Sequence, residues 1–323
     1  MKAIVISHYG DAGELKYTDV PDPLPKNNDV IVQSEAIGIN FADVMQRRGT
    51  YPGGPKVPFV PGLEVCGRII EKGKSVEGLN IGDRVIGFVW RGAYAEKVVV
   101  ASRYCMKIND SLSPEEAVAV PVNYQTSYHL LKTLGQIKPG QSVLIHAAAG
   151  GVGTASVQLA KIYGATVIAT VGSDEKKELV EKLGADFVIN YNKIDFEDAV
   201  MDYTGHAGVH IALESIGGDC FKKTIKTLRI LGKMMVFGFS SGIEGNALTT
   251  DFIYHSRSIM GFHMAAVIRN NELFSEGRNE IQRLLYENKI KPVVGHIFKL
   301  NDAKSAHESI ESRKTVGKVV LKP

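Results

Sequence analysis

The chain has 323 residues, 44% hydrophobic and 23% charged, and its 38 basic and 35 acidic side chains leave a formal net charge of +3. This composition suits a globular protein long enough for more than one domain, and without a Lys/Arg run it speaks against a nucleic-acid partner. Cys66, Cys105 and Cys220 are too few and too scattered for a secreted disulfide framework, and no apolar stretch is long enough for a membrane span, so a cytoplasmic location is expected.

"MKAIVISHYG" turns polar too early for a signal peptide. Up to about Val100, short apolar runs ("VIVQSEAIGI", "VCGRIIEKG", "DRVIGFV", "AEKVVVA") are punctuated by Pro and Gly, which predicts a compact, mostly-β barrel-like unit. From about Ser113 the rhythm changes. "SPEEAVAVPVNYQTSYHLLKTL" reads as helix on either side of Pro121, followed by strand "SVLIHA", helix "TASVQLAKIYG", strand "TVIATV", helix "DEKKELVEKLGA" and strand "FVINY". That alternation predicts an α/β unit with a parallel sheet and covering helices. Beyond about Met264 come the helical "NELFSEGRNEIQRLLYENK", then "SAHESIESRK" and a last strand, "GKVVLKP".

The stretch "HAAAGGVGTASVQLAK" sits between a strand and a helix, the context in which a glycine turn binds a dinucleotide. In the turn of Gly150, Gly151, Val152 and Gly153, Gly150 lets the backbone approach a pyrophosphate and Gly153 lets helix and strand pack closely. The helix N-terminus offers its unpaired N–H groups. Ala148 stands where the first glycine of the fingerprint is usual, which requires that its φ stay below zero.

"GQSVLIHAAAGGVGTASVQLAK" resembles the signature of the quinone oxidoreductase and zeta-crystallin family. "AIGINFADVMQRRGTYP", "FVPGLEVCGRI", "GDRVIGF", "FVINY", "FGFSSG" and "ESRKTVGKVVLKP" are similar to family segments in the same order. The resemblance implies a medium-chain dehydrogenase/reductase, with a GroES-like catalytic domain (residues 1–124 and 265–323) around an inserted Rossmann domain (residues 125–264). It also implies a homodimer.

Zinc members of this superfamily carry metal ligands where this chain has Asn40 and Leu63, neither an ordinary zinc ligand, and three cysteines cannot build a four-cysteine structural site. Glu64 is expected to be a buried, hydrogen-bonded carboxylate or a surface charge. His206 and His210 are spaced i, i+4, but Gly205 and Gly208 point to a loop entering a strand. A zinc-independent enzyme is expected. Direct hydride transfer then favours an electron-poor acceptor, a quinone or a similar conjugated carbonyl compound, with hydrogen-bond donors to stabilise the developing oxyanion. The resemblance implies Asn40 beside the nicotinamide as the first such donor and Tyr51 as the second, and places Thr126 near the nicotinamide ribose.

No carboxylate stands at the end of the second strand, where Val171 and Gly172 occupy the position usual for an NAD-selecting acid. Ser173, Lys176, Tyr191 and Arg313 match family positions around a 2′-phosphate, and two cations there favour NADPH. Asp174 reads as a first-turn helix residue capped by Ser173. If it turned toward the ribose it would favour NADH. Gly217, Gly238, Ser240, Ser241 and Phe262 match strand-end positions lining the cofactor cleft, although the serines also suit ordinary turns. The expectation is an NADPH-dependent quinone oxidoreductase. An enoyl or 2-alkenal reductase is the alternative on the same scaffold, and an NADPH-binding structural or RNA-associated protein is the alternative of another class.

Overall fold

The structure, a computed structural model, describes all 323 residues. The chain divides into a terminal unit, Met1–Asn123 with Pro292–Pro323, and an inserted unit, Tyr124–Lys291. The second break thus follows Lys291 and not residue 264, a correction with a local cause. Helix 271–286 packs on the segment that opens the inserted unit: a Cβ on Gly277 would lie 2.6 Å from Gln125 Oε1 and 2.9 Å from His129 Nε2. The helix thus lies directly on the side chains of that opening segment, and it belongs with the inserted unit.

In chain order the terminal unit begins with β1 (Lys2–Val5), β2 (Lys16–Asp19), β3 (Asp29–Ile39), α1 (Phe41–Arg48), β4 (Glu64–Lys72), β5 (Arg84–Phe88), β6 (Lys97–Ala101), β7 (Cys105–Lys107) and α2 (Pro114–Val118). Short apolar runs ended by Pro and Gly form these strands. Helix α2 starts where Ser113 and Glu116 exchange capping hydrogen bonds around Pro114.

The inserted unit opens with α3 (Asn123–Tyr128), prolonged by a π-helical run His129–Leu134. Then come β8 (Ser142–Ile145), α4 (Gly151–Ile162), β9 (Thr166–Val171), α5 (Asp174–Lys182), β10 (Phe187–Asn190), α6 (Phe196–Tyr203), β11 (Val209–Glu214), α7 (Gly218–Lys226), β12 (Leu228–Val236), α8 (Thr250–Ile253), β13 (Ser258–Gly261), α9 (Met264–Ile268) and α10 (Asn271–Tyr286). All neighbouring strands are parallel, in the order β10-β9-β8-β11-β12-β13. This is the doubly wound Rossmann order, and the connection reverses direction between β8 and β11, where such sheets hold their ligands. The central strands are apolar along their length because they are covered on both faces: Leu144, Ile168 and Ala212 are fully buried.

The chain then returns to the terminal unit as β14 (Val294–Lys299), α11 (Ala303–Glu311) and β15 (Lys318–Lys322). Its main sheet runs β14-β15-β3-β4-β5-β7, with β6 also paired to β3. Every pairing is antiparallel except β14 with β15. This is the GroES-like partner of the Rossmann unit. Its core gathers Ile4, Val32, Val65, Val98 and Tyr94 from the first segment with Leu300, Ala306 and Val319 from the second.

The glycine turn depends on one close approach. A Cβ on Gly153 would stand 2.3 Å from the Ala147 carbonyl oxygen and 2.6 Å from Ala148 Cα, both rigid backbone. Gly153→Ala should therefore destabilise the inserted unit by about 1–3 kcal/mol, seen as an earlier urea midpoint; an unchanged midpoint would mean that α4 can slide on β8 freely.

Candidate functional site

Each unit brings together its own set of candidate residues. In the inserted unit, β8 ends at the turn that leads into α4, with Gly150 as N-cap at φ −80°. Ala148 is buried, and its N–H donates to the Thr170 carbonyl at 3.1 Å. The left-handed residue of the turn is Ala147 (φ 48°), so Ala148 meets the condition set for an alanine at that place. Gly151, Val152 and Gly153 form the first turn of α4, whose N–H groups have no acceptor within the helix. The α4 dipole adds partial positive charge there. The cradle fits a pyrophosphate: donors face outward, and no side chain stands on Gly150.

The ends of β9 and β10 carry the residues assigned to cofactor selection. Ser173 caps α5, accepting from Lys176 N–H at 3.4 Å. The Tyr191 ring lies over Gly172, so that a Cβ on Gly172 would meet its hydroxyl at 2.7 Å. Burial lowers the pKa of the Lys176 ammonium from its ordinary value. The Asp174 carboxylate accepts from Asn190 Nδ2 at 2.8 Å and pairs with Lys193 at 2.5 Å, and these two partners hold it below the usual carboxylate range. Asn190 and Lys193 follow from no local pattern, because their meeting with Asp174 depends on the pairing of β9 with β10.

At the ends of β11 and β12, Gly217 takes φ 79° with no room for a Cβ, which would fall 2.1 Å from the Ile243 carbonyl. Beneath it Glu214 is fully buried. Its Oε1 accepts from Ile216 and Gly217 N–H at 2.7 and 2.8 Å, Oε2 has no partner, and burial pushes the carboxyl pKa up. Ser240 N–H donates to the Ser215 carbonyl at 2.8 Å, and the Ser241 hydroxyl is bonded to Ile243, so both serines take part in the turn. Gly238 packs against Ser215. Phe262 follows β13 and stacks on His129 with ring centroids 6.4 Å apart, and Thr126 is buried on α3.

In the terminal unit Asn40 precedes α1, and its side chain is committed on both sides. Nδ2 donates to Glu64 Oε1 at 2.8 Å, and Oδ1 accepts from Lys318 Nζ at 2.7 Å. Glu64 and Lys318, 0% and 1% exposed, form an ion pair with each other. Glu64 Oε2 takes the Val122 N–H at 2.8 Å, and Lys318 also reaches Asn123 Oδ1 at 3.4 Å. Glu64 is thus the buried, bonded carboxylate of the two alternatives. Its pairing with Lys318, distant in sequence, leaves no local signal. A metal would find this position already neutralised by an ammonium, with Asn40 and Leu63 beside it, and no group of three or more His, Cys, Asp or Glu side chains is placed to hold one.

Behind Asn40 lies Asp43, fully buried, which accepts from Asn40 N–H at 2.8 Å and Tyr94 O–H at 3.2 Å; burial pushes its pKa up to about 7. Burial, and next the charge of Asp43, push the Tyr51 phenol up to about 12, so Tyr51 is a neutral donor. Arg313 is exposed in the turn after α11, at a left-handed φ of 59°.

Replacing Lys318 with Met should strand the Glu64 charge in the core and cost about 3–5 kcal/mol. The double replacement Glu64→Gln/Lys318→Met should recover a large part of that loss in urea unfolding. Equal losses for the single and double variants would show that the stem of Lys318, and not its charge, supports the unit.

A family model described as "Alcohol dehydrogenase GroES-like domain" matches residues 26–110, and one described as "Zinc-binding dehydrogenase" matches residues 151–282. Quinone oxidoreductase-like protein 2 of Mus musculus is 33% identical over 295 residues, covering 91% of this chain and 84% of its own. Among solved structures, Escherichia coli quinone oxidoreductase complexed with NADPH superposes with a TM-score of 0.94 at 32% identity, covering 100% of both chains. A mycobacterial protein complexed with NADPH gives 0.95 at 34% identity, also over 100% of both.

Proposed function

We propose that this chain, which belongs to the quinone oxidoreductase family of the medium-chain dehydrogenase/reductases, is a zinc-independent, NADPH-dependent reductase of quinones and related conjugated acceptors. The observation that carries the reading is the Asn40 clamp. Where a metal-dependent relative would place ligands, this chain places an amide between a buried carboxylate and a buried ammonium. Without a Lewis acid, the acceptor must already be electron-poor. NADPH supplies the hydride.

The protein's own contribution is orientation and charge stabilisation. Lys318 fixes Asn40 Oδ1 and Glu64 takes one Nδ2 hydrogen, so the amide cannot flip, and its second Nδ2 hydrogen is the donor left for an acceptor oxygen. The ammonium on the carbonyl side polarises the amide and strengthens that donor. Tyr51, held as a neutral phenol, offers a second hydrogen bond. The turn of Gly150 to Gly153 binds the pyrophosphate through its N–H groups. Preference for the 2′-phosphate is supported by Lys176, Ser173 and Tyr191 gathered near the end of β9, and by the engagement of Asp174 with Asn190 and Lys193. Arg313 is proposed as a second cation for the same phosphate.

Lys176→Ala should weaken NADPH by about 10- to 150-fold, the value of one charge-assisted contact, and leave NADH affinity nearly unchanged in direct titrations. Equal losses for the two cofactors would place Lys176 in the fold or at the pyrophosphate.

At saturating NADPH, benzoquinones and naphthoquinones should be reduced readily, and simple alcohols with NADP+ should give negligible turnover. Asn40→Ala should lower kcat/KM for the quinone more than it weakens NADPH binding. A preference of about tenfold (roughly 1.4 kcal/mol) or more for enals or enones would reassign the enzyme to alkene reduction, and robust alcohol oxidation would overturn the metal-free reading.

A further inference from the structure

At the N-terminal ends of β8, β11 and β12, the end of the inserted sheet away from the glycine turn, lies a cavity of about 380 Å³. Its charged lining is wholly basic: Lys138, His210, Arg229 and Lys233, with no carboxylate. A bulge shapes it. The register of β11 on β12 jumps from Val209↔Leu228 to Ile211↔Lys233, so residues 229–232 loop out opposite His210 alone. Leu231 in that loop has φ 61°, and Gln136 on the facing wall has φ 54°. Two non-glycine residues in the left-handed region on one small cavity are an unusual concentration of backbone strain.

The protons around His210 do not balance within the protein. The Ser142 N–H, which can only donate, points at His210 Nδ1 at 3.1 Å, and the Ser142 hydroxyl, 3.0 Å from the same nitrogen, is free to donate to it as well; with Nδ1 as the acceptor of both, the neutral ring carries its proton on Nε2. Burial, and next the Arg229 charge, hold this imidazole below its ordinary pKa, so the neutral form prevails near pH 7. Yet Arg229 Nη1 lies against Nε2, so two N–H donors face one another. The buried His307 shows the satisfied version. Arg47 Nη1 donates to Nδ1 at 3.3 Å, the Nε2 proton goes to the Tyr94 oxygen at 3.0 Å, and the Tyr94 O–H goes on to Asp43. At His210 the arginine is on the protonated side, and the missing partner is an acceptor. Lys233 adds an ammonium that meets only neutral oxygens, the Gln136 side chain at 3.1 Å and the Gly135 carbonyl at 3.4 Å.

We propose that this cavity is a binding site for a tetrahedral oxyanion, phosphate or a phosphate monoester, whose oxygens accept from Arg229, His210 Nε2–H and Lys233. An acceptor-only anion converts the donor–donor contact into two charge-assisted hydrogen bonds, and donors from three side chains suit three phosphate oxygens better than two carboxylate oxygens. Ile230 and Leu231, 65% and 71% exposed, form an apolar rim on which an ester's organic part would lie.

The test is NMR of the His210 ring in the full chain, with NADPH present and again without it, during titration with inorganic phosphate at constant ionic strength. The His210 resonances should move saturably in both series and its titration midpoint should rise. Arg229→Gln should weaken phosphate at least tenfold without lowering the melting temperature of the ligand-free protein, since the glutamine oxygen can accept from Nε2–H. Lys233→Gln, a second variant, should weaken it less. Butyl phosphate binding more tightly than inorganic phosphate would identify an ester as the ligand, and equal affinity would identify free phosphate. Unmoved His210 resonances, the same shifts with chloride alone, or undiminished affinity in Arg229→Gln would overturn the site. Because His210 is read with and without the nucleotide, a failure of cofactor binding leaves this outcome distinct.

Discussion

The terminal unit is organised around a charge pair that meets across a strand. Strand β3 lies between β15 and β4, and Gly38 pairs with Val320 on one side and with Glu64 on the other. Glu64 and Lys318 reach each other over Gly38, where a Cβ would fall 2.4 Å from Glu64 Oε1 and 2.6 Å from Lys318 Cε. Burying both charges is expensive, and their mutual attraction repays it only when the remaining lone pairs and protons are also satisfied. Asn40, Val122 N–H and Asn123 satisfy them. The orientation of the Asn40 amide is therefore a consequence of the fold, fixed before any substrate arrives, as preorganised stabilisation of charge requires.

A second polar chain, Asp43–Tyr94–His307–Arg47–Glu311, ties α11 to α1: Arg47 donates to Glu311 on one side and to His307 on the other, and from His307 the donation runs on through Tyr94 to Asp43. Its two titrating members oppose each other. Asp43, raised to about 7, makes the fold lose stability as pH rises from the ordinary carboxylate value toward 7. His307, lowered to about 3 by burial and then by Arg47, makes it lose stability as pH falls from the ordinary imidazole value toward 3. Between these limits the two slopes partly cancel. Both networks need residues from each end of the chain, so the terminal unit closes only after the inserted unit has been made.

The inserted unit separates its functions by sheet end. Parallel strands put every βα turn at one end, and there the glycine turn, the Asp174 cluster and the Gly217 turn gather. The opposite end carries the αβ returns, and there the bulge in β12 sets Arg229 and Lys233 beside His210 at a cavity that Lys138 also lines. A ligand at that end would meet neither the glycine turn nor its N–H groups.

What depends on neighbours along the chain could be read from the order of residues. Alternation of apolar runs with helical periods specified a parallel sheet, because strand and helix signals are local. The glycines of the β8–α4 turn declared a close backbone approach, because no other residue tolerates it; the resemblance then named the family. What depends on meetings between distant segments needed the folded chain. Helix 271–286 is amphipathic with no local sign of its unit, and the family pattern alone would put it in the terminal unit; its packing beside Gln125 and His129 puts it in the inserted one. Lys318 looks like a surface lysine before a last strand, and only the register of β15 on β3 carries it to Glu64. His210 and Arg229 belong to different strands, and their meeting follows from a bulge that leaves no mark in hydrophobic periodicity. Local propensity fixes elements. Which buried charges and protons come to face one another is settled by register and packing, since the cost of an unmatched charge is felt only after water has been excluded.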